Sequence, residues 1–253
     1  MNSVTIEMHD AVAEVQMRNG ITNAINLDLV VELSNAISQL SKNDQVNGVV
    51  LTSSNDKFFS IGFDIPTLIE LSEKDFKVFY RTFNKFCLEL YTFTKPTVAA
   101  ITGHAIAGGC ILALCCDYRF IARGHKLMGL NEIKLGVPVP YLADRILQEI
   151  VGGKNARVIM ETGDFYKPEE SLALGLVDQV EAAEEVVNRG IEKIRSIETL
   201  PLQIYTAIKR NRVEPVTERL ERVLENKMNE FIEYWFSLEA RERLEEAKKK
   251  FEK

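Results

Sequence analysis

At 253 residues, with a net charge of −6 and a pI near 5.3, the chain is long enough to bury a core without covalent staples. The composition is that of an ordinary globular protein, 46% hydrophobic and 27% charged. The acidic balance argues against nucleic acid or an anionic membrane as a partner, and no apolar run is long enough to span a bilayer.

Cys87, Cys110, Cys115 and Cys116 sit inside apolar runs without framework spacing and read as buried, reduced thiols. With three histidines in the chain, His9, His104 and His125, no metal centre is expected. The amino-terminal "MNSVTIEMHDAVAEVQM" alternates like a strand and lacks the regions of a signal peptide, so a cytoplasmic location is expected.

In chain order, residues 4–17 predict a strand pair turning at His9-Asp10. "NLDLVVELSNAISQL" has helical spacing with Asn26 placed to cap it. "VNGVVLTSS" predicts a buried strand, and "KFFSIGFDI" leads into a helical stretch. The rhythm then repeats: strand "PTVAAITG", glycine loop "HAIAGG", helix "CILALCC", strand "DYRFIAR". Strand, glycine loop, helix and strand again predict an α/β fold. Pro168 and Glu169 suit a first helical turn, and Gly175 suits its end. Beyond about Ala182 the chain becomes charged, amphipathic and nearly free of glycine, which predicts helices packed on the core or on a neighbouring subunit. Residues 1–195 are expected to form the ligand-binding core and residues 196–253 a helical region for self-association.

Two features bear on chemistry. Backbone that approaches a ligand closely favours glycine, and a helix starting at Gly108-Gly109 would present unpaired N–H groups to an oxyanion. Packing turns would use the same glycines. Glu132 lies among Leu130, Ile133, Leu135 and Val137, where lost hydration would raise its pKa from about 4.3 toward neutrality. An exposed loop glutamate beside Lys134 fits the same pattern. Unaided, the residues reach an oxyanion site and a base, each with a structural alternative.

"RNGITNAIN", "KFFSIGFDI", "KPTVAAITGHAIAGGCILALCCDYRFIA", "MGLNEIKLGVP" and "LALGLVDQV" together resemble the crotonase, or enoyl-CoA hydratase/isomerase, superfamily, in family order and spacing. The resemblance implies an α/β spiral of ββα units with carboxy-terminal helices that form trimers or hexamers. It also implies an acyl-CoA thioester as ligand, with no separate cofactor. By motif, the N–H groups of Phe63 and Gly108 would hold the thioester oxygen; at Phe63 the backbone is the working part and the ring matters little. CoA would lie along the "KFFSIGFD" loop, touching Lys57, Ser60, Ile61, Gly62 and Asp64, with Gly109 beside Gly108 and Lys248–Lys250 as a further basic run.

Hydratases of this family usually carry a glutamate after "GGC", where this chain has Ile111; the second family acid matches Glu132. The segments "AGGCILALCCDYRFIA" and "GLNEIKLGVPVPYLADRI" look most like the Δ3,Δ2-enoyl-CoA isomerase branch. That implies a single-glutamate shift of a 3-enoyl double bond to the 2 position. Hydratase, decarboxylase or hydrolase chemistry, and a non-catalytic acyl-CoA binder, stay open. Pro138–Tyr141 would wall the acyl pocket or form a surface loop. His104 reads as a loop residue without catalytic duty, and Trp235, with Phe231, Tyr234 and Phe236, as packing or a subunit contact.

Overall fold

The computed structural model describes residues 2–251. The first hairpin, β1 (Val4–His9) and β2 (Val12–Met17), pairs antiparallel and turns through Asp10, as its alternation predicts. Every later pairing in the main sheet is parallel. Its order is β1-β2-β3-β5-β7-β9, with β3 (Gly48–Ser53), β5 (Thr97–Ile101), β7 (Tyr118–Ala122) and β9 (Gln179–Glu181). β3 and β5 are buried at every residue, as strands covered on both faces must be.

One face of the sheet packs on the main core. It holds α1 (Leu27–Ser41), which buries Leu29, Val30, Leu33, Ala36, Ile37 and Leu40, and whose N-cap Asn26 accepts from the Leu29 N–H at 3.0 Å. The other face meets α7 (Val186–Glu198), whose Val186, Ile191 and Ile194 cover Val50, Val98 and Phe120. The boundary expected after residue 195 thus falls in the last turn of α7.

A second, parallel sheet, β4 (Phe58–Ser60), β6 (His104–Ile106) and β8 (Met128–Gly129), launches the functional loops. β4 leads to the short α2 (Ile65–Leu68), and α3 (Glu73–Tyr91) follows, capped by Ser72. β6 leads to α4 (Gly108–Leu114), buried all round and therefore central. "HAIAGG" is accordingly not an open loop: His104 is in a strand and the two glycines form the first turn of α4. The left-handed backbone falls on Ala107 (φ 46°), just before them. Such a conformation costs a non-glycine residue about 1–3 kcal/mol and clusters at functional sites.

After β8 comes a 3-10 turn, Glu132–Leu135, then α5 (Tyr141–Thr162), broken at Gly152. α6 (Pro168–Leu174) starts on Pro168 and ends on left-handed Gly175, as predicted. The tail is helical as expected, with α8 (Leu202–Trp235) and α9 (Leu238–Phe251). Among the described residues no helix is long and apolar enough to cross a membrane.

Candidate active site

Because β4 and β6 are neighbours, the loops that leave them touch through bare backbone. At Gly62 (φ +95°) an added Cβ would lie 2.9 Å from the Ile106 carbonyl oxygen and 3.0 Å from the Gly108 nitrogen. At Gly109 it would lie 2.3 Å from the Ser60 carbonyl oxygen. The glycines therefore serve contact between the loops as well as access to a ligand.

Beside Gly62, a bridge to Ile25 orients the next residue. The Ile25 N–H donates to Gly62 O at 2.7 Å and the Asp64 N–H donates to Ile25 O at 3.0 Å. The intervening Phe63 N–H consequently faces away from Ile25. Gly108 opens α4, where no intrahelical acceptor exists for its N–H. Among the described residues neither N–H has an acceptor, and both residues line one cavity of about 630 Å³.

Glu132 lines the same cavity. It is buried, and one of its carboxyl oxygens has no hydrogen-bond partner. Burial pushes its pKa up to about 7. The exposed-loop reading of Glu132 is thereby set aside. Ile111, also buried, lines the wall where the resemblance would place a second acid. The other cavity-lining acid, Glu246 of α9, is exposed.

The remaining predicted residues divide. Ile61 lines the cavity, with its N–H donating to the Thr22 carbonyl at 2.9 Å. Ser60 is buried beneath the loop, donating to the Asn23 carbonyl and accepting from the Gly62 N–H. Asp64 caps α2 through Thr67. Gly62 and Gly109 are spacers, and Lys57 stands exposed beside the lining residue Phe58. Of Pro138–Tyr141, Pro140 lines the cavity, whereas Pro138 is exposed and the Tyr141 hydroxyl accepts from Arg219. Lys248 pairs with Glu70 at 2.6 Å, and the Lys250 side chain lies outside the described residues. Cys110, Cys115 and Cys116 are buried thiols held above the usual thiol pKa by desolvation. Glu7, His9 and Glu14 gather on the first hairpin outside the cavity, with His9 bonded to Glu14 at 2.7 Å.

Sequence reasoning missed three contributors. The Phe63 ring is not idle: it meets Phe79 and Phe83 edge-on at centroid distances of 5.0 and 4.9 Å, and Trp235 at 6.3 Å. This aromatic cage fixes the residue whose N–H faces the cavity. Trp235 and Phe231 are themselves cavity lining, with Trp235 stacked on Phe76 at 4.4 Å. Finally, α9 supplies Arg243 and Ala247 to the wall, because Ala240 sits against Gly136, where a Cβ would lie 3.1 Å from its Cα. The aromatic spacing in α3 and around Trp235 was the available signal; it marked the packing but not what was packed.

A buried carboxyl with one unpartnered oxygen, sharing an apolar cavity with two free backbone N–H groups, is an arrangement suited to proton transfer beside a developing oxyanion. Comparison with known proteins agrees with that class. The enoyl-CoA hydratase/isomerase family matches residues 7–253, and the chain belongs to it. The mouse protein "Enoyl-CoA delta isomerase 1, mitochondrial" is 32% identical over 76% of this chain and 66% of its own length. The "Short-chain-enoyl-CoA hydratase" of Clostridium acetobutylicum is also 32% identical, over 76% of this chain and 74% of its own. The chain thus spans slightly under two thirds of the mouse relative. Among solved structures, human mitochondrial delta3-delta2-enoyl-CoA isomerase superposes with a TM-score of 0.95 at 26% identity, covering 99% of this chain and 98% of that one. The fold is the crotonase fold.

Proposed function

We propose that the chain moves the double bond of a 3-enoyl-CoA thioester to the 2 position with Glu132 as the single proton carrier. The observation that carries this reading is one buried carboxyl with a free oxygen in a cavity that Ile111, rather than a second buried acid, also lines. The ionised carboxylate takes a proton from C2, and the resulting enolate oxygen accepts from the Phe63 and Gly108 N–H groups. The same proton, now on Glu132, returns to C4, and the double bond is left conjugated with the carbonyl. The atoms balance without a further reactant. A pKa near 7 suits a group that must act as base and then as acid. Apolar Ile111 keeps water from the enolate.

The relatives include a hydratase, so addition of water to 2-enoyl-CoA is the competing outcome. Turnover of 3-enoyl-CoA, followed by absorbance of the conjugated thioester, tests the reading. Wild type converts the 3-enoyl thioester faster than it hydrates the 2-enoyl one, and Glu132→Gln stops isomerisation. Unchanged isomerisation in that variant would remove Glu132 from the mechanism, and faster hydration would give the site to water chemistry.

Self-association is part of the proposal. Leu200, just before α8, and Ile204 and Ile208 within it, at four-residue spacing, are exposed and support a face for a second copy. Sedimentation measures the trimer or hexamer expected.

A further inference from the structure

Away from the active cavity, positive charge gathers along the middle of α8. A second cavity, of about 720 Å³, lies between that helix and the first residue of α5. It is lined by Tyr141 of α5 and by Pro215, Glu218, Arg219, Arg222 and Lys227 of α8. Pro140, one residue before Tyr141, lines the active cavity, and none of the described residues lines both. Arg219, Arg222 and Lys227 fall at i, i+3 and i+8, the spacing of one helix face.

Tyr141 is the hub of this cluster. Its hydroxyl accepts from Arg219 Nε at 2.7 Å, and its ring centroid lies 5.9 Å from the Lys227 ammonium and 5.9 Å from the guanidinium carbon of Arg145. The Arg219 fork is thereby fixed at its Nε edge, with both terminal nitrogens free of partners among the described residues. Lys227 is answered by Glu230 at 2.6 Å. The two arginines are not: among the described residues neither has a carboxylate within ion-pair distance, and Arg222 has no polar partner. Glu218 lines the cavity beside them and pairs with neither. Arg145, across the Tyr141 ring, adds a buried Nε without an acceptor. In a chain of net charge −6, two guanidinium groups left unanswered in one concavity stand out as a place for an external anion.

We propose that Arg219 and Arg222, organised by Tyr141, form a binding site for the phosphate group of a small molecule, separate from the acyl cavity. A guanidinium presents two parallel N–H donors that match two oxygens of one phosphate, and a phosphate carrying close to two negative charges answers both arginines at once. Lys227 contributes a further donor at the edge, with its charge already shared by Glu230. Glu218 disfavours a weakly charged ligand, because a monoanion would gain little over that fixed repulsion. The site needs no step of the double-bond reaction and stands or falls independently of it.

Titration calorimetry with inorganic pyrophosphate, in chloride buffers of low and high ionic strength, tests the site. Wild type binds pyrophosphate with an affinity that falls as salt rises. The double variant Arg219→Gln/Arg222→Gln keeps polar side chains, removes both charges and is expected to bind on the order of tenfold more weakly or worse. Arg219→Lys/Arg222→Lys restores the charge without the forks and recovers only part of the loss. Glu218→Gln removes the acid beside the arginines and binds more tightly than wild type. Melting temperatures show that each variant is folded. No binding by wild type, or wild-type affinity in the glutamine double variant, would overturn the proposal; altered sedimentation alongside that unchanged affinity would give the arginines to a subunit contact instead. Displacement of pyrophosphate by free CoA would overturn it too, since the site would then belong to the acyl-CoA ligand. Turnover of 3-enoyl-CoA in the same variants keeps the two readings apart: the glutamine double variant is expected to lose pyrophosphate binding and keep whatever turnover wild type has.

Discussion

Two buried acids, about equally hidden from solvent, serve opposite ends in this molecule. Asp117, at the start of β7, accepts from the Thr97 N–H at 2.9 Å, the Thr97 hydroxyl at 3.0 Å and the Lys209 ammonium at 2.7 Å, and also from Arg212. Glu132 leaves one carboxyl oxygen without a partner. Burial of a charge is tolerated where donors converge on it and costs stability where they do not. Asp117 fastens α8 to the sheet, since Lys209 belongs to that helix and is itself almost wholly buried. Glu132 instead keeps a lone pair available, and its raised pKa is the physical consequence. Full satisfaction fits a structural acid, and incomplete satisfaction fits the proton carrier proposed for Glu132.

The largest effect expected from breaking this contrast is on catalysis. Glu132→Gln keeps shape and burial and removes the proton carrier, so isomerisation should fall by roughly 10²–10⁴-fold. In wild type the working base is the carboxylate, so kcat/KM should rise as pH rises through about 7 and level off above it. A flat profile between pH 5.5 and 8.5 would show that another group carries the proton.

Next comes the paired acid. Asp117→Ala leaves the Lys209 ammonium buried without its carboxylate, and removing one partner of a buried pair costs about 3–5 kcal/mol. Urea unfolding should register that loss. A variant as stable as wild type would mean that Lys209 finds water or another partner.

The same glutamate then yields a stability prediction of opposite sign. A raised folded-state pKa means that wild-type stability is fully present below the ordinary carboxyl pKa and is lost as pH climbs through about 7. Glu132→Gln does not titrate, so its stability relative to wild type should improve between about pH 4.5 and 7.5. The gain reaches roughly 3 kcal/mol, at 1.36 kcal/mol per pKa unit. Chemical denaturation at pH 4.5 and 8 measures the difference, and equal values would mean that Glu132 stays solvated.

How far this contrast was visible beforehand depends on sequence distance. Asn26, Pro168 and Gly175 announced their roles because caps and stops act within a turn, and the alternation of residues 4–17 carried its hairpin. Glu132 was found through the motif around it. Asp117 was not singled out, since its partner Lys209 lies 92 positions away and nothing local marks the pair. Ala107 escaped for another reason: the glycines beside it were the residues that read as ligand approach or a packing turn. In fact, they are helical, and bare because Ser60 and the Gly62 loop press on them. Trp235 and α9 reached the cavity by chain reversal after Trp235, which composition does not reveal.

Gly109→Ala sharpens the comparison most finely, because it leaves both acids in place and disturbs the oxygen-binding groups alone. A methyl group there would lie 2.3 Å from the Ser60 carbonyl oxygen and 2.8 Å from its Cβ, and the first of these contacts is backbone that cannot rotate aside. The first turn of α4 must therefore shift, carrying the Gly108 N–H with it. Misplacing a catalytic group by about 1 Å can cost 10²-fold in rate, and overpacking costs about 1–3 kcal/mol in stability. Gly153→Ala is the matched control: it lies within α5 with nothing within 4 Å of the added methyl. It should be neutral or stabilise by about 0.5–1 kcal/mol and leave turnover unchanged. If Gly109→Ala isomerises 3-enoyl-CoA as fast as Gly153→Ala, the oxyanion is not held at the start of α4. Glu132 would then be acting on a carbonyl bound elsewhere.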